Sequence, residues 1–266
     1  MDYLLFDLLA VAVPAALLLV RARGRRQTVL PVAVLAAVAV AWTAPWDGHL
    51  VRTGVWSYDP HAVLGQLGSV PVEEFGFVVL EVVLVAAWRL RTPRWSVPPD
   101  PALPTVATPA GALSWLALGV VGAVLLVFGG HLRYLGLLLV WVAPAFALQH
   151  AIAHDVLVAQ RGSRLLRAAP VALWLCVCDR LALARGIWTI SPVSATGVTL
   201  GGLPVEEALF FWLTCLLSAD GLLLATHPAV LRRVRKLLAR PAAGLRAARG
   251  PGRALGRSAG PTAQRP

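Results

Sequence analysis

Seven long apolar stretches constrain the fold of this chain more than any other feature of its sequence. They cover residues 3–20, 29–45, 70–88, 111–129, 134–153, 168–184 and 203–224. Each is close to the length that an α-helix needs to cross a bilayer, about 20 residues. Of the 266 residues, 58% are hydrophobic and 14% are charged, whereas soluble domains carry about 25% charged residues. We therefore predict an all-α membrane protein with about seven transmembrane helices.

The positive charge predicts how these helices are oriented. The net charge is +11, and the arginines cluster after the first, third, fifth and seventh stretches. Because basic residues accumulate in cytoplasmic loops, the N-terminus is expected outside and the tail in the cytoplasm, with the chain in the plasma membrane. The charge is thus explained by topology and by contact with the lipid bilayer, and we predict no nucleic-acid partner.

An internal duplication organises the chain. The string Pro-Val-Glu-Glu occurs at residues 71–74 and again at 204–207, each time at the start of an apolar stretch. Further matched pairs lie at offsets of 132 or 133 residues: Asp47 with Asp179, Gly54 with Gly186, Trp56 with Trp188, Pro71 with Pro204, and Phe77 with Phe210. Such repeats in membrane proteins indicate two copies of one structural unit.

The repeat and the charge pattern together predict the domain organisation. Two parallel three-helix repeats at residues 1–92 and 134–226 are joined by residues 93–133, a Pro-rich linker plus an extra helix. The extra helix is needed because three crossings end on the opposite side of the membrane from where they began. Direct fusion would therefore invert the second copy. Residues 227–266 are basic and lack apolar periodicity at their end, which predicts a disordered cytoplasmic tail.

The glutamate pairs are the strongest candidates for chemistry. Proline and acidic residues suit the first turn of any helix, so a purely capping role is one interpretation. Two adjacent acids exceed what a cap requires, and the string is identical in halves that differ at most positions. Charged residues inside a membrane are costly and usually functional. We predict that Glu73, Glu74, Glu206 and Glu207 are catalytic.

Several other residues are predicted to bind substrate or to support the glutamates. Glu81 lies two helical turns after Glu74 and so on the same face, whereas Thr214 occupies its place in the second copy. The supporting set is Pro71, Pro204, Asp47, Asp179, Trp56, Trp188, Glu81, Phe77 and Phe210. Carboxyl groups crowded in a low-dielectric bundle can stay protonated and act as general acids. The structural alternative is a set of buried ion pairs with Arg52, Arg180 or Arg185.

No cofactor or metal is predicted. His150 and His154 have the i, i+4 spacing of a metal-binding pair, but a di-iron site would need several such boxes. The three cysteines all lie in apolar stretches and form no zinc pattern. The sequence also contains no dinucleotide-binding glycine motif after a strand and no P-loop.

The duplicated Pro-Val-Glu-Glu strings, each with an upstream Asp and Gly-x-Trp, resemble the small membrane lycopene cyclases. Members of that family occur as two separate subunits that form a heterodimer, or as one fused chain, and this chain resembles the fused form. The resemblance covers nearly all of residues 1–226. It implies a carotenoid substrate, no flavin site of the Rossmann type, and contact with other enzymes of carotenoid synthesis.

The resemblance also implies a reaction. An acid protonates the terminal double bond of a linear lycopene-type end group, the cation closes a six-membered ring, and a base removes a proton to leave a β- or ε-ionone ring. At least one glutamate from each string is then expected to line a common apolar cavity large enough for a carotenoid end group. The residues alone leave one alternative of a different class, a proton-coupled transporter or channel, because parallel repeats with membrane-embedded acids also occur in carriers.

Overall fold

The computed structural model describes residues 2–20, 25–92 and 109–236, and it is 79% helical. The Pro-rich linker, apart from its last residue, and the end of the basic tail lie outside the described residues. Seven long helices follow the order of the predicted stretches: α1 (Tyr3–Val20), α2 (Arg25–Arg52), α3 (Val72–Arg91), α4 (Pro109–Phe128), α5 (Arg133–Ala159), α6 (Arg161–Ala184) and α7 (Val205–Thr226). In α1, residues Leu8–Ala12 form a π-helical turn. The prediction of a helical chain is confirmed.

Five of the described helices are long and apolar enough to cross a membrane, namely α1, α2, α4, α5 and α7. The other two long helices, α3 and α6, carry more charged residues than such a span usually holds. Many apolar side chains point outward from the bundle, among them Leu17, Leu30 and Val127. A water-soluble protein would bury such residues, so the exposed surface is consistent with a lipid environment.

Short strands at one end of the bundle connect equivalent parts of the two halves. Strand β1 (Trp56–Tyr58) pairs antiparallel with β4 (Trp188–Ile190), and Ser57 lies opposite Thr189 with their hydroxyls 2.7 Å apart. Two hairpins have matching register: β2 (Gln66–Leu67) with β3 (Val70–Pro71), and β5 (Thr199–Leu200) with β6 (Leu203–Pro204). Residues that lie 132 or 133 positions apart in the sequence therefore pair in the same way in the two halves.

Helix packing follows the same correspondence. The third helix of each half, α3 and α7, lies at the centre, and the two contact each other. Contacts of α1 with α3 and of α2 with α3 correspond to those of α5 with α7 and of α6 with α7. These contacts fit the predicted repeat, whose superposition as two parallel three-helix units stays a prediction.

Helix α4 packs almost entirely against α5 through small residues. A Cβ atom added to Gly122 would lie 2.9 Å from the Gly136 carbonyl oxygen, and one added to Gly136 would lie 2.9 Å from that of Gly122. Glycines at these two positions allow the backbones to approach closely, as small residues do in many membrane helix pairs. The joining helix is thus fixed to the start of the second half.

The start of the tail is more ordered than the sequence predicts. Residues 228–236 are helical, Val230 is buried against Leu223 and Leu224, and Arg233 forms an ion pair with Asp155. Val230, the partly buried Val234 and the ion pair with α5 hold this segment against the bundle. Composition does not reveal such contacts.

Candidate active site

Both Pro-Val-Glu-Glu strings lie where a hairpin strand turns into a central helix. Strands β3 and β6 end at Pro71 and Pro204, and α3 and α7 begin at the next residue. Proline fixes the φ angle and needs no hydrogen-bond acceptor at the first turn of a helix. The glutamates consequently lie in the first turn, where the helix dipole favours negative charge.

The first glutamate of each string holds the loop that precedes its helix. Glu73 Oε1 accepts the backbone N–H of Leu64 at 2.5 Å, and Glu206 Oε1 accepts that of Thr196 at 2.7 Å. Leu64 and Thr196 are themselves 132 residues apart, so the same contact is made twice. In this geometry both carboxyl groups bind the loop backbone, and their predicted catalytic role stays a prediction.

The second glutamate of each string is bound by tyrosine hydroxyls. Glu74 Oε2 accepts hydrogen bonds from Tyr3 at 2.6 Å and from Tyr58 at 2.8 Å. Glu207 Oε1 accepts one from Tyr134 at 2.5 Å. The chain contains three tyrosines, and all three donate to a second glutamate. Burial, followed by the nearby Glu74 carboxyl, raises the pKa of Tyr58 at the end of β1 well above the usual value, so its hydroxyl stays a donor at neutral pH.

Glu74, Asp179 and Glu207 line one small cavity, which we call the acid cavity. All three carboxyl groups are buried, and Asp179 also accepts a hydrogen bond from the Trp188 indole N–H at 2.8 Å. The full lining is Tyr3, Trp56, Tyr58, Glu74, Phe77, Asp179, Trp188, Glu207, Phe210 and Phe211. The expected convergence of one glutamate from each string is thus observed.

The volume of the acid cavity is smaller than the sequence predicts. Its volume is about 30 Å³, which is room for a couple of water molecules and not for a carotenoid end group. Aromatic side chains fill the space around the carboxyl groups. The expectation of a cavity already large enough for a ring is therefore wrong for this conformation.

An aromatic cluster forms one side of the site. Trp46 and Trp141 stack with their ring centroids 4.4 Å apart, and Phe210 stacks on Trp46 at 5.8 Å. Trp56 meets the Phe210 ring edge-on at 5.9 Å. Aromatic faces attract cations, so this wall suits a reaction in which positive charge develops on a hydrocarbon.

Within the described residues, hydroxyls and backbone N–H groups donate to the four string glutamates, and two arginines of the ion-pair alternative have other partners. Arg52 contacts the Ser69 hydroxyl at 3.4 Å, and Arg180 donates to the Gly201 carbonyl oxygen at 3.3 Å. The buried ion pair of Arg164 with Asp220 joins α6 to the last two turns of α7. It lies at the end of the bundle opposite the strings.

Some predicted supporting residues lie away from the acid cavity. Asp47 is buried outside its wall, and Glu81 faces a separate groove, where the Cys215 thiol donates to it at 3.5 Å. His150 and His154 have their Nδ1 atoms 2.9 Å apart. Within the described residues, no group of three or more His, Cys, Asp or Glu side chains could hold a metal ion.

The tyrosines and Phe211 are the site residues that sequence reasoning misses. Tyr3 and Tyr134 start α1 and α5, the first helices of the two repeats, and lie 131 residues apart. This near match with the repeat offset, together with the rarity of tyrosine in the chain, is the signal that could have identified them.

Comparison with known proteins gives a consistent result. The family described as lycopene cyclase matches residues 2–88 and 131–220, two segments that leave out α4. Lycopene beta-cyclase of Halobacterium salinarum is 37% identical over 231 residues, which cover 84% of this chain and 95% of the relative.

Two longer relatives are bifunctional lycopene cyclase/phytoene synthases. That of Arthroderma gypseum is 31% identical over 264 residues, covering 92% of this chain and 44% of the relative. That of Pyrenophora tritici-repentis is 33% identical over 238 residues, covering 83% of this chain and 40% of the relative. No solved structure matches the chain.

Proposed function

Because the chain belongs to the lycopene cyclase family, we propose that it is an integral membrane enzyme that converts the linear end groups of lycopene into β-ionone rings by acid-initiated, redox-neutral cyclisation. The observation that carries the mechanism is the convergence of Glu74, Asp179 and Glu207 in one aromatic cavity. The printed name of the Halobacterium relative supports the β ring.

The reaction needs one acid and one base within reach of a single end group. A protonated carboxyl gives its proton to the terminal double bond, which leaves a tertiary carbocation. The neighbouring double bond attacks that carbon and closes the six-membered ring, and a carboxylate then removes a proton from the ring. One proton enters and one leaves, so no electrons are exchanged and the balance requires no redox cofactor.

The three carboxyl groups of the acid cavity supply these roles. Glu207 lies in the same cavity as Asp179, so the two groups crowd each other, and like charges that are buried together disfavour double ionisation. Glu74 is held by two tyrosine hydroxyls, and hydrogen bonds from donors stabilise a carboxylate. We therefore assign the acid to the Glu207–Asp179 pair and the base to Glu74.

The surrounding side chains protect the cation. Phe77, Phe210 and Phe211 line the cavity with aromatic carbon and help to keep bulk water away. Water that reached the cation would add to it and give an alcohol instead of a ring. Aromatic faces stabilise the positive charge without being able to trap it as a nucleophile.

The proposed placement in the membrane follows the charge rule. All seven long helices cross the plasma membrane, with the N-terminus outside and the tail in the cytoplasm. The acid cavity then lies toward the outer side, because the strings begin helices that run inward. A transporter, the alternative that the repeats alone leave open, is not supported by relatives that are named as cyclases over most of the chain.

The direct test is expression of the full chain in a bacterium that accumulates lycopene, followed by chromatography of the pigments. We expect β-ionone products that are missing from cells with an empty vector. Unchanged lycopene in cells whose membranes contain the protein would contradict the proposed function.

A further inference from the structure

Two apolar grooves lie on the helix bundle, and the internal repeat relates them. The first groove lies between α2, α3, α5 and α7 and has a volume of about 210 Å³. The second groove lies between α1, α3 and α6 and has a volume of about 310 Å³. Four of their wall residues correspond at offsets of 130 to 133: Trp42 with Trp174, Pro144 with Pro14, Leu148 with Leu18, and Leu217 with Leu84.

The first groove opens toward the lipid. Its rim consists of the outward-facing apolar side chains Val38, Trp42 and Leu148, of which Leu148 is 62% exposed. Its inner wall is buried and contains Glu81 and Trp141. A linear hydrocarbon dissolved in the bilayer can enter such a groove without passing through water.

Phe210 connects this groove with the acid cavity. Its ring lines both spaces, and it lies one helical turn after Glu207 on α7. The equivalent residue, Phe77, lines the acid cavity, but the walls of the second groove contain neither Phe77 nor any other residue of that cavity. The repeat thus produces two grooves, of which the first alone shares a wall with the carboxyl groups.

We infer that the first groove binds the linear polyene chain of the substrate, and that Phe210 is the movable partition past which the end group reaches Glu74 and Glu207. This inference rests on the proposed function. It explains how a cavity of about 30 Å³ can act on a large substrate, because displacement of one ring would join it to a space of about 210 Å³. The second groove corresponds to the first by the internal repeat but does not lead to the acid cavity.

The chain offers a matched pair of positions for a blocking experiment. Leu148 lines the first groove and is 62% exposed, whereas Leu17 lines the second groove and is 68% exposed. The full-length variants Leu148→Cys and Leu17→Cys are purified into lipid vesicles that contain lycopene. Each is then treated with a methanethiosulfonate reagent that carries a bulky apolar group. Because the protein is already folded when the reagent is added, misfolding cannot explain a loss of activity.

We expect modification of Leu148→Cys to lower the cyclisation rate at least tenfold and modification of Leu17→Cys to leave it within twofold. The unsubstituted chain, treated in the same way, must keep its activity, since it has three native cysteines. Equal rates before and after complete modification of Leu148→Cys, or loss confined to Leu17→Cys, would overturn the inference.

A second measurement separates substrate binding from chemistry. In a Glu207→Gln background, lycopene that co-purifies with the protein reports binding alone. We expect Ala39→Trp, which fills the first groove, to remove that lycopene, and Ala37→Trp, which points outward from the same helix, to retain it. Retention by both variants would overturn the groove assignment. If the unsubstituted chain does not cyclise lycopene at all, the proposed function fails instead.

Discussion

The tyrosine–glutamate pairs define the site at the scale of single residues. Tyr3 and Tyr134 hold equivalent glutamates, but Glu74 has a second donor in Tyr58, whose place in the other half is taken by Ile190. The duplicated site is therefore asymmetric at its centre. The reaction needs one acid and one base. Because equivalent glutamates have different hydrogen-bond partners, a duplicated unit can supply both.

Removing one hydroxyl should test this asymmetry. Tyr134→Phe takes away the one tyrosine donor to Glu207, whereas Tyr58→Phe leaves Glu74 with Tyr3. Glu207 becomes a carboxylate as it gives up its proton, and a hydrogen bond to such a charged group contributes about 1.5–3 kcal/mol, or about 10–100-fold in rate. We expect Tyr134→Phe to slow cyclisation by about that factor and Tyr58→Phe to slow it less, measured as initial rates in membranes. A larger loss of rate in Tyr58→Phe than in Tyr134→Phe would contradict this prediction.

The tyrosines also show why the sequence predicts only part of the site. The position of the glutamates follows from local rules, since proline and acids favour the start of a helix. The bond from Tyr134 to Glu207 joins residues 73 positions apart and depends on how α5 packs beside α7. No local pattern contains that information, and the same holds for the small size of the acid cavity.

At the scale of helices and strands, hydropathy predicts where the helices lie better than where they end. Helix α2 extends to Arg25 and Arg52, and α6 begins at Arg161, well beyond their apolar stretches. Polar residues at the end of a membrane helix keep their backbone hydrogen bonds while their side chains reach the interface. Hydropathy therefore underestimates the length of these helices.

The close contact of α4 with α5 leads to a stability prediction. Gly122→Leu places a side chain where even a Cβ atom would lie 2.9 Å from backbone oxygen. Overpacking usually costs about 1–3 kcal/mol, so we expect a lower midpoint of thermal unfolding in detergent. Ala117→Leu, at an exposed position of the same helix, is the control and should unfold like the unsubstituted chain. Equal midpoints for both variants would show that the two backbones are not in close contact.

At the scale of the whole molecule, the candidate active site takes residues from both halves of the chain. The acid cavity takes Glu74 from one half and Asp179 and Glu207 from the other, and the β1–β4 pair joins the halves directly. Among the described residues of the joining segment, α4 contributes none to the cavity wall. We therefore expect that the chemistry itself does not require the two halves to be joined in one chain.

Separation of the halves should therefore preserve activity. A chain cut within residues 93–108 and expressed as two polypeptides is expected to cyclise lycopene when both are present, because the described contacts of β1 with β4 and of α3 with α7 already join the halves. Each piece alone should be inactive, since it lacks one glutamate of the acid cavity. Activity of either piece by itself, measured by pigment chromatography, would contradict a shared site.

A single productive groove also predicts the order of products. Lycopene has two ends, and one acid cavity reached from one groove can hold one end at a time. A monocyclic carotenoid should therefore appear before any bicyclic product in a time course with purified protein in vesicles. Simultaneous appearance of the bicyclic product, with no monocyclic species at early times, would indicate that both ends react in one binding event.

In the proposed mechanism, the second glutamate of each string carries the chemistry and the first holds a loop. Glutamine has the shape of glutamate but cannot transfer a proton in the same way, and general acid–base catalysis contributes about 10²–10⁴-fold. The decisive measurement is the cyclisation rate of the four single glutamine variants, each corrected for protein in the membrane. We predict at least a 100-fold loss in Glu74→Gln and Glu207→Gln, and a loss below about tenfold in Glu73→Gln and Glu206→Gln, whose amide oxygens can still accept the loop N–H. Undiminished rates in Glu74→Gln and Glu207→Gln would contradict the account.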